Sequence, residues 1–292
     1  MKIKLTRLIT VLLCAMIVLS SMQIFVSLLI RNTVISEKFY KEAILSPNYL
    51  PMLRRNISYE LDAQSRFVGI PLEFFTDALN DENISRMLNE HINNSTLFLK
   101  GESEFKKAEY PSMLFLEQFE RFIDSVMEEN QEFEADETLY LQLKEVADDS
   151  AGIVEKHVNL MRFDAIMETG LFKRINRWIS VIVSTLIPSI VIFILSVSVL
   201  FYIYRKNING ALFFLFTSLW ISGTVLFIPG LVMKHSGITQ RLAINTTYFK
   251  FAVDTWLGKI DDIILTTGAF LFLISSAFLI IAFLVINLKK RI

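Results

Sequence analysis

The chain has 292 residues, 53% apolar and 20% charged, with 25 Phe but only 10 Gly and 6 Pro. This composition excludes a disordered or collagen-like polymer, and a mean hydropathy of +0.46 places a large share of the chain in lipid rather than in a water-soluble core. The net charge of −1 conceals a segregation, because residues 31–177 hold 17 Lys and Arg against 27 Asp and Glu, while the three short stubs contain eight basic residues and no acid. No stretch is long and basic enough to grip nucleic acid, so the expected partners are the lipid bilayer and another membrane or envelope protein.

Residues 1–7 form a stub carrying Lys2, Lys4 and Arg7, and residues 8–30 are the first apolar run. A run of this length spans a bilayer as a helix, since lipid offers backbone groups no other partner. The basic start also suits a signal peptide, but the run outlasts the 7–15 residues of a signal core and has only Val18, Ser20 and Ser21 as a weak cleavage signature. We therefore expect a retained span. Cys14, the sole cysteine, lies inside it, which excludes an intramolecular disulfide and a cysteine zinc site.

Residues 31–177 have mainly helical apolar spacing. Ser36-Glu37 is read as a helix start and Pro47 as its end. Leu50, Leu53, Ile57 and Leu61 repeat at i+3/i+4 until Gly69, with Pro71 at the first position of a helix bearing Phe74, Phe75 and Leu79. Asp81 is read as the cap of the next helix, with Ile84, Leu88 and Ile92, closing near Gly101. After Pro111 come Phe115, Phe119, Phe122, Ile123 and Val126, and then Leu139, Leu143, Val146, Ile153, Val158 and Met161 on a long helix or a pair broken near Gly152. No strand-like alternation of useful length occurs.

Residues 178–204, 210–233 and 263–288 are three further spans, with no Asp, Glu, Lys, Arg or His in any of them. Pro188 and Pro229 are expected to kink their helices, and Ser218, Ser222 and Gly223 to form a helix-contact face around Trp220. In residues 234–262, a helix over 247–260 gathers Tyr248, Phe249, Ala252, Val253, Trp256 and Ile260 on one side. That face fits either the outer membrane interface or a cap on the external domain. Residues 205–209 and 289–292 carry Arg205, Lys206, Lys289, Lys290 and Arg291, so both termini and this turn are expected in the cytoplasm, with 31–177 and 234–262 outside. The fold class is an all-α membrane protein of one span, a helical extracytoplasmic domain, and three spans.

We read no catalytic, cofactor-binding or metal site. His91, His157 and His235 share no ligand spacing and are read as packing residues. The acidic run 128–137 lacks the glycine and spaced oxygens of a calcium loop and is read as a solvated connection. Uncharged spans speak against an ion-coupled carrier.

The first span followed by Glu37-Lys38-Phe39-Tyr40, Pro47-Asn48-Tyr49-Leu50 and Gly69-Ile70-Pro71-Leu72-Glu73-Phe74-Phe75 resembles an uncharacterised group of four-span membrane proteins of Gram-positive bacteria. The resemblance covers about residues 1–100 and the span order, and implies a helical external loop but no activity. The span order is also similar to FtsX-like permease subunits, from which the seven-residue stub and helical external domain depart. Tetraspanins and claudins share the span count but rely on external cysteine pairs, which are missing. The leading expectation is a non-catalytic plasma-membrane protein whose external domain binds a partner, an envelope component or a lipid. The alternatives are a permease-type subunit of an ABC-like complex and an outward-facing membrane enzyme.

Overall fold

The computed structural model describes residues 2–129, 137–159, 171–237 and 244–289. Every regular element among them is helical: α1 (Lys2–Asn32), α2 (Glu37–Ile44), α3 (Tyr49–Val68), α4 (Leu72–Asp77), α5 (Asp81–Lys100), α6 (Met113–Glu129), α7 (Glu137–Val158), α8 (Leu171–Ser184), α9 (Leu186–Ile203), α10 (Ile208–Ser236) and α11 (Thr247–Lys289). The chain forms two compact units, a membrane unit of residues 1–35, 175–243 and 253–292 and a helical unit of residues 36–174 and 244–252.

Helices long and apolar enough to cross a bilayer run over Leu5–Asn32, Arg174–Ile203, Ile208–Ser236 and Thr247–Leu284. Large side chains such as Leu19, Ile187 and Leu273 stand exposed on them, which is costly in water and free in hydrocarbon. The chain is thus an all-α membrane protein. Leu13 and Ile17 of α1 pack on Leu200 of α9, with Phe193, Val197 and Phe214 around them. Hydrogen bonds join the helices where apolar burial drives nothing in lipid: Ser21 to Ser222 at 2.8 Å, Gln23 to Thr185 at 2.6 Å, and the Trp220 indole N–H to Ser276 at 3.0 Å.

The second apolar run is two helices with a one-residue interruption at Thr185. Pro188 has no N–H to offer the Ser184 carbonyl, so the ladder weakens here. The Ile182 carbonyl at the break accepts from the Ser27 hydroxyl at 2.7 Å and from Thr185 Oγ1 at 2.8 Å. Pro229, by contrast, lies inside the continuous α10.

In the helical unit, Ser36 caps α2, which ends at Ile44, short of Pro47. Gly69 and Gly101 close α3 and α5 at φ 77° and 76°, a left-handed conformation that glycine adopts at no steric cost. Asn80, not Asp81, caps α5, accepting from the Glu82 N–H at 2.7 Å, and Pro71 stands just outside α4. Leu53, Ile57, Leu61, Ile84, Leu88, Phe115 and Phe119 are buried as expected, with Phe75 set 4.8 Å from Phe119. Gly152 does not break α7: its penalty of about 1 kcal/mol is outweighed where Ala147, Ala151 and Val154 of the same helix are buried.

Helix α11 runs unbroken through Gly258 and Asp261-Asp262, so the helix expected at 247–260 is its first part rather than a separate element. No proline occurs in this stretch to stop it. Residues 244–252 belong to the helical unit, where Tyr248 and Ala252 are buried.

Candidate functional site

A chain of polar side chains crosses the helical unit. Glu60, between the core residues Ile57 and Leu61 of α3, meets Lys156 and His157 at the end of α7. Lys156 Nζ lies 3.1 and 2.9 Å from Glu60 Oε1 and Oε2, and His157 Nε2 lies 3.0 Å from Oε1 but off the line of a straight hydrogen bond. The other ring nitrogen, Nδ1, is 2.8 Å from the hydroxyl of Tyr248 in the first turn of α11. The Tyr248 ring stands edge-on to Tyr49, with centroids 5.9 Å apart, and the buried Tyr49 hydroxyl has no hydrogen-bond partner among the described residues.

Burial lowers the His157 pKa below its ordinary 6.5, against the opposing pull of the Glu60 carboxylate. Burial also works to raise Glu60, but the hydrogen bond from Lys156 and the positive charge beside it bring the carboxyl below its usual range. Tyr49 is driven well above 10 by burial, reinforced by Tyr248. A neutral imidazole between a carboxylate and a phenol holds its proton on Nε2 and accepts the Tyr248 hydrogen at Nδ1. This is the order of a proton relay, but His157 and Tyr248 are each 5% exposed and Tyr49 is fully buried, so the phenol end is shielded from solvent. The chain acts as a brace that fastens residues 244–252 onto α3 and α7.

A second strap holds the non-helical segment before α6. Asn159 exchanges two hydrogen bonds with the Ala108 backbone at 3.2 Å, Glu155 accepts from the Tyr110 N–H at 2.8 Å, and the Tyr110 hydroxyl donates to the Ala78 carbonyl at 2.6 Å. Burial raises the Tyr110 hydroxyl pKa, opposed by a backbone hydrogen bond and the Arg86 charge.

Two of the concavities among the described residues of the same unit lie against α3. One, of about 760 Å³, lies along α3 beside Met52, Arg55, Asn56 and Tyr59 and reaches Leu72 and Thr247. The other, of about 580 Å³, lies where the last turn of α3, α6 and α7 converge. Its apolar lining comes from Phe67, Val68 and Ile70, from Phe122 and Ile123, and from Leu139, Leu143 and Val146. Gln142, Glu145 and Asp149 line its α7 side, and Gln64 is tied to the Val146 carbonyl at 3.3 Å and to the Ser150 hydroxyl at 3.1 Å.

Among the residues noted in the sequence, His91 is buried with its ring edge-on to Phe105 at 6.1 Å, while His235 is exposed. His157 packs, as expected of it, but also holds the brace. Its partners escaped sequence reading because Tyr248 lies 91 residues away, and the neighbouring Lys156–Glu60 contact spans 96. Ser218 and Ser222 are buried, and Ser222 bonds to α1. Of the acidic run 128–137, residues 130–136 lie outside the described residues, as does Met161. No group of three or more His, Cys, Asp or Glu able to hold a metal ion occurs among the described residues.

Compared with protein-family models, with curated protein sequences and with solved structures, the chain matches none.

Proposed function

We propose that this is a non-catalytic multi-pass protein of the plasma membrane, with both termini in the cytoplasm and residues 31–177 outside, whose helical unit binds a partner protein. The observation that carries this reading is the cavity at α3, α6 and α7. The unit has its own buried aromatic core, so it has no need of further apolar surface for stability, yet Phe67 stands 91% exposed at an apolar concavity. Single exposed apolar residues are ordinary, but a contiguous apolar concavity on a water-facing unit marks a binding surface. The basic stubs at both ends and at Arg205-Lys206 support the orientation. The burial of the His157–Tyr248 end of the chain favours a structural over a catalytic use of these residues.

Co-purification tests the reading. The full chain, cross-linked in intact cells and extracted in mild detergent, is expected to carry a second protein in fixed proportion. A chain that runs alone under several growth conditions sinks the proposal.

A further inference from the structure

Resting on that partner-binding reading, we infer that the cavity bounded by α3, α6 and α7 receives a basic amphipathic helix of the partner. The floor is formed by Ile70, Ile123 and Leu143, all buried, so it is a finished surface rather than an unfilled core. Phe67 stands beside it as a free aromatic anchor. The lining holds no Lys or Arg among the described residues. Its charged members are Glu145 and Asp149, one helical turn apart on α7, both exposed and neither in an ion pair among the described residues. An apolar trough with an unpaired acidic wall complements a helix that has leucine-like side chains on one face and Lys or Arg beside them. The surplus of acids over bases across residues 31–177 extends the same field and would speed the approach of such a helix. An anionic helix would place like charges against Glu145 and Asp149.

The volume also sets the scale. About 580 Å³ accommodates a few large side chains from one helix face and falls within the usual range of binding pockets. Phe67, projecting beyond the floor, is then the residue that packs against the incoming helix and loses its contact with water.

The test uses the full chain in phosphatidylcholine nanodiscs, with empty discs as the blank. The probe is a fluorescent Leu/Lys helix of about 18 residues with its leucines on one face. Two controls have the same leucine count: a scrambled Leu/Lys peptide without a continuous face, and a Leu/Glu helix. The Leu/Lys helix is expected to bind at least about tenfold more tightly than either control, and Phe67→Ala to weaken it by about tenfold. The double variant Glu145→Gln/Asp149→Asn is expected to remove most of the salt dependence. All three side chains are exposed, so an unchanged melting temperature shows that the variants remain folded.

Binding no stronger than to empty discs, equal binding of the Leu/Glu helix, or indifference to both variants overturns the inference. So does displacement of the peptide by dodecyltrimethylammonium at equal concentration, which would assign the cavity to a lipid chain. Self-association abolished by Phe67→Ala without peptide would assign it to a second copy and equally overturn it. A co-purifying partner that Phe67→Ala leaves in place defeats this docking site alone. Peptide binding without any co-purifying partner defeats the broader reading instead.

Discussion

His157 sits where a proton is costly. Its pKa is lowered by burial, so below about pH 6.5 the unfolded chain takes up a proton that the folded chain resists, and stability falls as pH drops through that window. Glu60 acts in the same direction at lower pH: its carboxyl is held below the usual range, so the stability it contributes is present above that range and is lost as the folded form protonates. The melting temperature of the full chain in detergent is therefore expected to decline from neutral pH to about pH 5, and His157→Gln to flatten that decline while leaving the fall at lower pH. Tyr248→Phe removes the hydroxyl that serves Nδ1 and is expected to cost about 1–3 kcal/mol, because a buried acceptor is left without its donor. An undiminished slope in His157→Gln would show that the acid response arises elsewhere.

Between elements, α10 and α11 approach closely, and glycine makes the approach possible. A Cβ on Gly268 would lie 2.6 Å from the Phe227 backbone nitrogen, and one on Gly223 2.6 Å from that of Phe272. These neighbours are backbone atoms, so they cannot swing aside, and a methyl group must push the helices apart. The separation would also loosen the Phe216–Phe278 stack, whose centroids lie 4.1 Å apart. Gly268→Ala is expected to cost about 1–3 kcal/mol, as overpacking does. Gly258→Ala, in the same helix with nothing within 4 Å of the new Cβ, is expected to be neutral or stabilising by up to about 1 kcal/mol. Thermal aggregation of the two variants in one detergent separates them, and equal behaviour would refute the close crossing. These contrasts also explain what the sequence could and could not reveal. Gly69 and Gly101 were legible as helix ends because a left-handed residue is a local requirement. Leu53, Ile57, Leu61, Phe115 and Phe119 were legible because a helix with one wet face repeats its apolar residues every three or four positions. Gly230 and Gly268 were not, since inside a uniformly apolar run hydropathy does not tell a lipid-facing side from a packed one. Nor was the cavity, which three segments distant in sequence form together.

At the scale of the whole molecule, the decisive quantity is which side of the membrane the acidic unit occupies, since a binding surface works only where its partner is. The Lys and Arg of the stubs resist translocation near short loops. Lys173, Arg174 and Arg177 oppose that orientation, but they end a long loop, where such charges count little. Cysteine labelling distinguishes the two orientations directly, because Cys14 is the only native thiol and can be replaced by Ala. Tyr59 is 78% exposed on the helical unit and Lys206 is exposed in the turn before α10, so both positions accept a reporter cysteine without disturbing packing. A membrane-impermeant maleimide applied to intact cells is expected to label Tyr59→Cys at once and Lys206→Cys only after lysis. The reverse pattern would turn the molecule over and put Phe67, Glu145 and Asp149 in the cytoplasm, so the basic helix sought as their partner would then be cytoplasmic.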